Sequence, residues 1–139
     1  MLKTIRIAAA LVLRGNGDAL LVRKRGTTAF MQPGGKIEPQ ETSEEALIRE
    51  FFEELRLAAD ISDLAFLGQF QALAANEPDH IVIADTFRLH VEDAAIIATA
   101  EIEEVRWVSP VDPGDLPMAP LTEHHILPFH RQQTASAGG

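Results

Sequence analysis

The amino-acid sequence predicts an α/β protein in which a mixed β-sheet is packed between helices. Three observations support this fold class: a hairpin signal near the N-terminus, one strongly amphipathic helix, and later strand-like runs that lead to a second helix. The order strands, helix, strands, helix is typical of a sheet covered by helices.

The composition indicates a single globular domain. The chain has 139 residues, of which 46% are hydrophobic, so there is enough apolar material for one core. We expect the domain to cover residues 1–131 and residues 132–139 to form a disordered tail.

Charge and residue usage exclude several classes of function. The net charge of −9 argues against a nucleic-acid polymer as partner, because phosphate backbones are bound by basic surfaces. Cysteine is absent, which excludes disulfides, thiolate nucleophiles and cysteine zinc sites. The apolar run Ile7–Leu13 is too short to span a bilayer, so we expect no membrane partner and a cytoplasmic protein.

The strands are predicted from runs of apolar residues bounded by turn signals. Residues 5–15 and 18–25 flank Asn16-Gly17, the strongest short hairpin signal. The segment TAFMQP, residues 28–33, is a short strand candidate that ends at Pro33. Further strands are predicted within residues 64–73, 80–91 and 101–108, with the loop AANEPD between the first two.

Two helices are predicted. From Thr42 onward the apolar period becomes helical, with Leu47, Phe51 and Leu55 on one face. Thr42 is the expected N-cap, and acidic residues fill the first turn, where the helix dipole favours them. Residues 119–131 are predicted to form the last helix, broken near Pro128.

The first helix carries an unusual cluster of acidic side chains. Glu50, Glu53 and Glu54 stand at i, i+3 and i+4, so their carboxylates share one face and repel one another. One interpretation is a solvated acidic face, although only Arg49 and Arg56 would relieve the repulsion. The other is a site for a hard divalent cation such as Mg²⁺, which takes oxygen ligands. The spacing alone leaves both interpretations open.

A resemblance to a known family favours the metal site. Gly35 is followed after five residues by Glu41, then after seven by Arg49-Glu50, Glu53-Glu54 and Leu57. This spacing resembles the Nudix box of hydrolases that act on nucleoside diphosphates linked to another group. The resemblance implies a Nudix α/β/α sandwich with a mixed sheet, in which the box forms a loop–helix–loop.

The resemblance also implies roles for particular residues. Mg²⁺, or Mn²⁺ as a substitute, would be bound by the carbonyl of Gly35 and the carboxylates of Glu50, Glu53 and Glu54. Glu41 and Arg49 would hold the helix and these ligands in place. The expected partner is a small nucleotide, and a homodimer is in keeping with the family.

The base that activates the attacking water remains open among several carboxylates. Glu53 and Glu54 are candidates in the helix. Glu101 is a third, because it precedes Trp107 by six positions, as an additional glutamate does in nucleotide-pool-cleaning Nudix members. The alternative interpretation of Glu101 is a solubility charge on an edge strand.

Arg23 and Arg25 share one face of their predicted strand, with Lys24 opposite. Nudix relatives often use a basic residue here, so the resemblance favours contact of an arginine with the phosphates. A solvated strand end is the alternative.

Two features depart from relatives. Arg56 replaces a glycine that allows a left-handed residue where the helix ends; either arginine adopts that conformation or the helix runs on. Pro120 and Leu121 stand where the oxidised-guanine branch has a purine-reading asparagine, which puts oxidised dGTP in doubt. For the reaction, the resemblance implies cleavage of a nucleoside triphosphate to monophosphate and pyrophosphate. An ADP-ribose or dinucleotide pyrophosphatase and a non-catalytic nucleotide sensor are the alternatives.

Overall fold

The computed structural model describes residues 2–92 and 95–138, with side chains through residue 132, and has helices on both faces of a mixed sheet. In this part of the chain six strands form one sheet in the order β4-β5-β1-β2-β6, and β3 pairs with β1. The elements are β1 Lys3–Leu13, β2 Ala19–Lys24, β3 Gly34–Lys36, α1 Ser43–Leu55, β4 Ala65–Leu73, β5 His80–His90, β6 Ile102–Val108 and α2 Leu127–Gly138. The predicted α/β/α sandwich is confirmed.

The Asn16-Gly17 turn is present as predicted. Gly17 has a φ of 89°, and its N–H donates to the Arg14 carbonyl at 2.8 Å. Strand β1 then pairs in parallel with β5 from Lys3 to Leu13, whereas β2 pairs antiparallel with β6. This parallel pair at the centre makes the sheet mixed.

The predicted strand TAFMQP is wrong, and β3 was missed. Residues 28–33 contribute only isolated bridges, Met31 to Val22 and Phe30 to Met118. The strand begins after the proline, at Gly34, whose φ of 147° and close approach to the Ala8 carbonyl leave no room for a Cβ. The sequence run gave no sign of this pairing because two glycines carry no alternating side-chain pattern.

Helix α1 begins and packs as predicted. The Thr42 side chain accepts from the N–H of Glu45, whose side chain accepts from the N–H of Thr42. Leu47, Phe51 and Leu55 are fully buried in the core between α1 and one face of the sheet. This packing fixes which way the acidic face of the helix points.

The last helix covers the other face of the sheet and is not broken at Pro128. A π-helical segment, Thr122–Ile126, runs directly into α2, and the N–H of Leu127 donates to the carbonyl of Thr122. In a regular α-helix a proline ring clashes with the carbonyl four residues before it. The wider turn just before Pro128 relieves that clash, so the chain stays helical.

Helix α2 carries the backbone through Gly138, so residues 132–138, predicted as a disordered tail, continue a helix. Gly139 lies outside the described residues, and a domain ending at residue 131 stays a prediction. Within residues 2–92 and 95–138, no helix is both long and apolar enough to cross a bilayer. The cytoplasmic location stays a prediction.

Candidate active site

Three carboxylates of α1 share one face but differ greatly in burial. The side chain of Glu54 is 1% exposed, that of Glu50 13% and that of Glu53 46%. The acidic face therefore runs from solvent into the protein. It is not the solvated face that the sequence left open.

Glu54 is a buried carboxylate between two donors. Its Oε1 accepts from the N–H of Gly34 at 3.2 Å, and the Lys24 Nζ lies 3.5 Å from its Oε2. Burial raises the pKa of Glu54 to about 7, against the opposing effect of Lys24. Burial therefore disfavours the charged form of Glu54, and a cation bound here would favour it.

The loop before the helix approaches the acids closely. A Cβ added to Gly35 would lie 2.6 Å from the Cδ of Glu50, so any side chain at this position would displace the Glu50 carboxylate. Burial raises the pKa of Glu50, and the neighbouring Arg49 opposes this shift. Gly35 and Glu50, predicted as metal ligands, are brought together.

Arg49 connects the remaining acids of the box. Its guanidinium donates to both oxygens of Glu41 at 2.8 Å, to Glu50 at 2.9 Å and to Glu53 at 3.3 Å. The paired guanidinium lowers the pKa of Glu41 to about 2, and the carboxylates of Glu41 and Glu50 raise the pKa of Arg49. Arg49 and Glu41 are thus placed to hold the helix acids, as the resemblance implied.

The donor set fits a hard divalent cation. Carboxylate oxygens are the ligands that Mg²⁺ and Mn²⁺ take, and a cation would offset the burial that raises the pKa of Glu50 and Glu54. Among the described residues, however, no three acidic or histidine side chains already converge. Arg49 pairs with both Glu50 and Glu53, so these two carboxylates would bind a cation in competition with its guanidinium.

The backbone of the segment that carries Glu101 lies beside this site. The N–H of Thr99 donates to the carbonyl of Glu54 at 3.0 Å, and the carbonyl of Glu101 accepts from the N–H of Arg25 at 2.9 Å. The segment before β6 therefore runs along the C-terminal end of α1. The Glu101 side chain is exposed.

Arg23 and Arg25 point away from the acids. Arg23 donates to the Thr27 carbonyl at 3.0 Å and pairs with Glu104 at 3.4 Å. Arg25 pairs with Glu103 at 2.6 Å. Their contact with substrate stays a prediction that this geometry does not favour.

Lys24 is a second basic residue at the site, beside Arg49, and the sequence assigned it no role. Strand alternation could have found it, because Leu20 and Val22 face α1 in the core and Lys24 is the next residue of that row. The arginines belong to the opposite row. The resemblance pointed to a basic residue on this strand but did not indicate which row of the strand packs against α1.

A cavity of about 200 Å³ opens beside these residues. Ala8 and Ala9 of β1, Ala74 and Ala75 of the β4–β5 loop, and Leu121 contribute apolar lining. The polar groups that line it include Lys24, Gln32, Gly34, Gly35 and Thr122. Since Lys24 and Gly34 also contact Glu54, the cavity and the acidic face share one wall.

Comparisons with known proteins agree on one family. Residues 3–129 match the model of the NUDIX domain. A Bacillus subtilis (strain 168) protein with the provisional name 8-oxo-dGTP diphosphatase is 30% identical over 124 residues, covering 88% of this chain and 77% of that protein. The CTP pyrophosphohydrolase of Escherichia coli (strain K12) is 27% identical over 124 residues, covering 86% of each.

A solved structure agrees with the fold. The solution structure of the E. coli ORF135 protein superposes with a TM-score of 0.72 at 26% identity, covering 97% of this chain and 94% of that one.

Proposed function

This chain belongs to the Nudix hydrolases, enzymes that cleave pyrophosphate bonds, and we propose that it cuts a nucleoside triphosphate to the monophosphate and pyrophosphate. The family generally uses a divalent metal ion, and we propose Mg²⁺ here, with Mn²⁺ as a substitute. Both curated relatives described above are named for hydrolysis of nucleoside triphosphates, which supports this substrate class over ADP-ribose or a dinucleotide.

The observation that carries the proposal is the shared wall of the cavity and the acidic face. Lys24 and Gly34 line the cavity and also contact Glu54, while Gly35 lines it and faces Glu50. A nucleotide whose base enters the cavity would therefore have its phosphates beside the carboxylates.

Each residue of this wall has a role that follows from its chemistry. Glu50 and Glu54, joined by Glu53 and the Gly35 carbonyl, would hold the metal ion, which neutralises phosphate oxygens and activates water. Arg49 keeps Glu50 in place through its own anchor on Glu41. Lys24 supplies a positive charge, and we assign it to the phosphates in place of Arg23 and Arg25.

The water is deprotonated by a carboxylate. Glu54, whose pKa is raised to about 7 in the metal-free protein, and the partly exposed Glu53 lie on the helix itself. Glu101, on the segment that runs beside the end of α1, is the third candidate. The small nucleotide is the proposed partner, and a homodimer stays a prediction.

Glu54→Gln tests the proposal. The change keeps shape and the bond from Gly34 but removes the buried charge. We expect turnover to fall at least about 10²-fold across a panel of nucleoside triphosphates, ADP-ribose and dinucleotides, assayed with and without Mg²⁺. Thermal melting without metal should hold or rise slightly.

Glu44→Gln is the matched control, because it removes the same charge from the first turn of the same helix. It should keep wild-type turnover. Wild-type rates in Glu54→Gln would contradict the assignment of this carboxylate. Faster cleavage of ADP-ribose than of any triphosphate would contradict the substrate class.

A further inference from the structure

Gln32 is a buried polar side chain that the protein itself leaves half satisfied. The residue is 4% exposed and lines the cavity next to the acidic site. Its Oε1 accepts from the Oγ1 of Thr122 at 2.7 Å. Its Nε2 has no hydrogen-bond partner within the described part of the chain. Buried amide donors are nearly always paired, so this one calls for a partner from outside the protein.

We propose that the Gln32 Nε2 reads a hydrogen-bond acceptor on the nucleobase, and that it selects bases bearing a carbonyl oxygen over adenine. The inference rests on the proposed function, because it assumes that the cavity takes the base of the nucleotide. It adds the class of base, which neither the acidic site nor the sequence determines.

Thr122 gives the amide its direction. A free glutamine offers a donor and an acceptor side by side, the pair that matches the amino group and ring nitrogen of adenine. Here the Thr122 hydroxyl donates to the Gln32 Oε1, so only the Nε2 donor is left to pair with a ligand. Adenine could offer the Nε2 a ring nitrogen, but its amino group would then lie beside an Oε1 that Thr122 already occupies, and losing half of a paired contact in a buried site weakens binding.

Guanine, uracil, thymine and cytosine each carry a carbonyl oxygen, whereas adenine has none. The Gln32 N–H can be satisfied by such an oxygen without help from the Oε1. Guanine and adenine are the cleanest comparison, because they have the same ring system and differ at the edge that is read.

The backbone around Gln32 fixes the position of this residue relative to the acidic site. Met31 pairs with Val22 in both directions at 2.8 Å, and the Pro33 carbonyl accepts from the N–H of Ala10 at 3.0 Å. The next residue, Gly34, donates to Glu54. One short segment thus meets the base at one end and the acidic site at the other.

The test compares Gln32→Met, which keeps the length of the side chain but removes the donor, with Thr122→Val, which frees the Oε1. Turnover of GTP and ATP is measured with Mg²⁺, and binding of GMP and AMP is measured by calorimetry in EDTA. Gln71→Met is the matched control, because Gln71 is exposed on β4 and lies outside the cavity lining.

In Gln32→Met we expect kcat/KM for GTP and affinity for GMP to fall about 10-fold or more, with ATP and AMP changed by less than about 3-fold. In Thr122→Val we expect the preference for GTP over ATP to fall by about 10-fold, because the freed oxygen can meet the adenine amino group. Gln71→Met should match the wild type in both assays.

An unchanged GTP-to-ATP ratio in Gln32→Met overturns the inference, as does a wild type that binds neither monophosphate. If Gln32→Met fails to fold, Thr122→Val decides, and an unchanged ratio there overturns it equally. If GMP binding depends on Gln32 but no nucleotide is turned over, the result contradicts the proposed function and supports the inference about Gln32. If nucleotides are turned over but the preference for GTP over ATP does not depend on Gln32, the result supports the proposed function and contradicts the inference.

Discussion

At the scale of single residues, burial separates the carboxylates that surround the site. Glu54 is enclosed, and burial raises its pKa to about 7, whereas the Glu101 side chain is exposed beside the end of α1. A buried carboxylate can hold a cation firmly, because water competes poorly for both. An exposed one on a separate segment can reach a bound water without being needed to hold the ion.

This difference gives a prediction for Glu101. Glu101→Gln should lower the maximal rate at saturating Mg²⁺ by about 10²-fold, the scale of a lost general base, with little change in KM. The measurement is steady-state kinetics on the best nucleoside triphosphate of the panel.

Glu103→Gln and Glu104→Gln are the internal controls, because each removes one charge from the same region. Glu103 pairs with Arg25, and Glu104 pairs with Arg23 and Arg106. We expect both to keep near wild-type rates. If Glu104→Gln lowers the maximal rate more than Glu101→Gln does, then Glu104 is the active-site acid of this strand. If none of the three variants lowers the rate, the base is one of the glutamates of α1.

At the scale of elements, α1 ends in a residue that is poorly suited to its conformation. Arg56 has a φ of 52°, the left-handed region, so the helix stops here and does not run on. A side chain in this region costs roughly 1–2 kcal/mol relative to glycine. The Arg56 guanidinium lies 4.9 Å from the centre of the Phe52 ring and recovers roughly 0.5–1 kcal/mol at an exposed site.

We therefore expect Arg56→Gly to raise the free energy of unfolding by up to about 1 kcal/mol, measured by thermal or urea melting. Activity should change little, because the site loses no ligand. Arg56→Ala is the control, since it keeps the Cβ strain and loses the ring contact, and it should destabilise. A large loss of turnover in Arg56→Gly would reveal a role for the guanidinium at the site.

At the scale of the whole molecule, the charge balance favours binding of a cation. The net charge is −9, and the acids of α1 concentrate part of it in one place. A ligand that binds only the folded state stabilises it by RT ln(1 + [L]/Kd), about 2.7 kcal/mol at 100 times Kd. The family's use of a divalent ion should thus be visible in stability as well as in rate.

We expect Mg²⁺ to raise the melting temperature of the wild type by several degrees, relative to NaCl at the same ionic strength. Glu54→Gln should lose most of this increment, whereas Glu44→Gln should keep it. Equal increments in all three proteins would mean that Mg²⁺ acts by general screening and not at the acidic face.

The sequence by itself determined the features that depend on neighbours along the chain. The Asn16-Gly17 turn, the Thr42 cap and the shared face of Glu50, Glu53 and Glu54 all follow from spacing over a few residues. The box spacing then led to the family and hence to the fold. These predictions succeeded because turn, cap and helix geometry are set locally.

Only the tertiary structure decided features that join distant segments. At the left-handed end of α1, which the sequence left open, the N–H of Ile97 donates to the carbonyl of Leu55 at 3.0 Å and joins this end to a distant segment. Lys24 reaches Glu54 because the core places one row of β2 against α1. Gln32 and Thr122 meet across 90 residues of sequence. Periodicity assigns a residue to a face, but packing alone decides what that face meets.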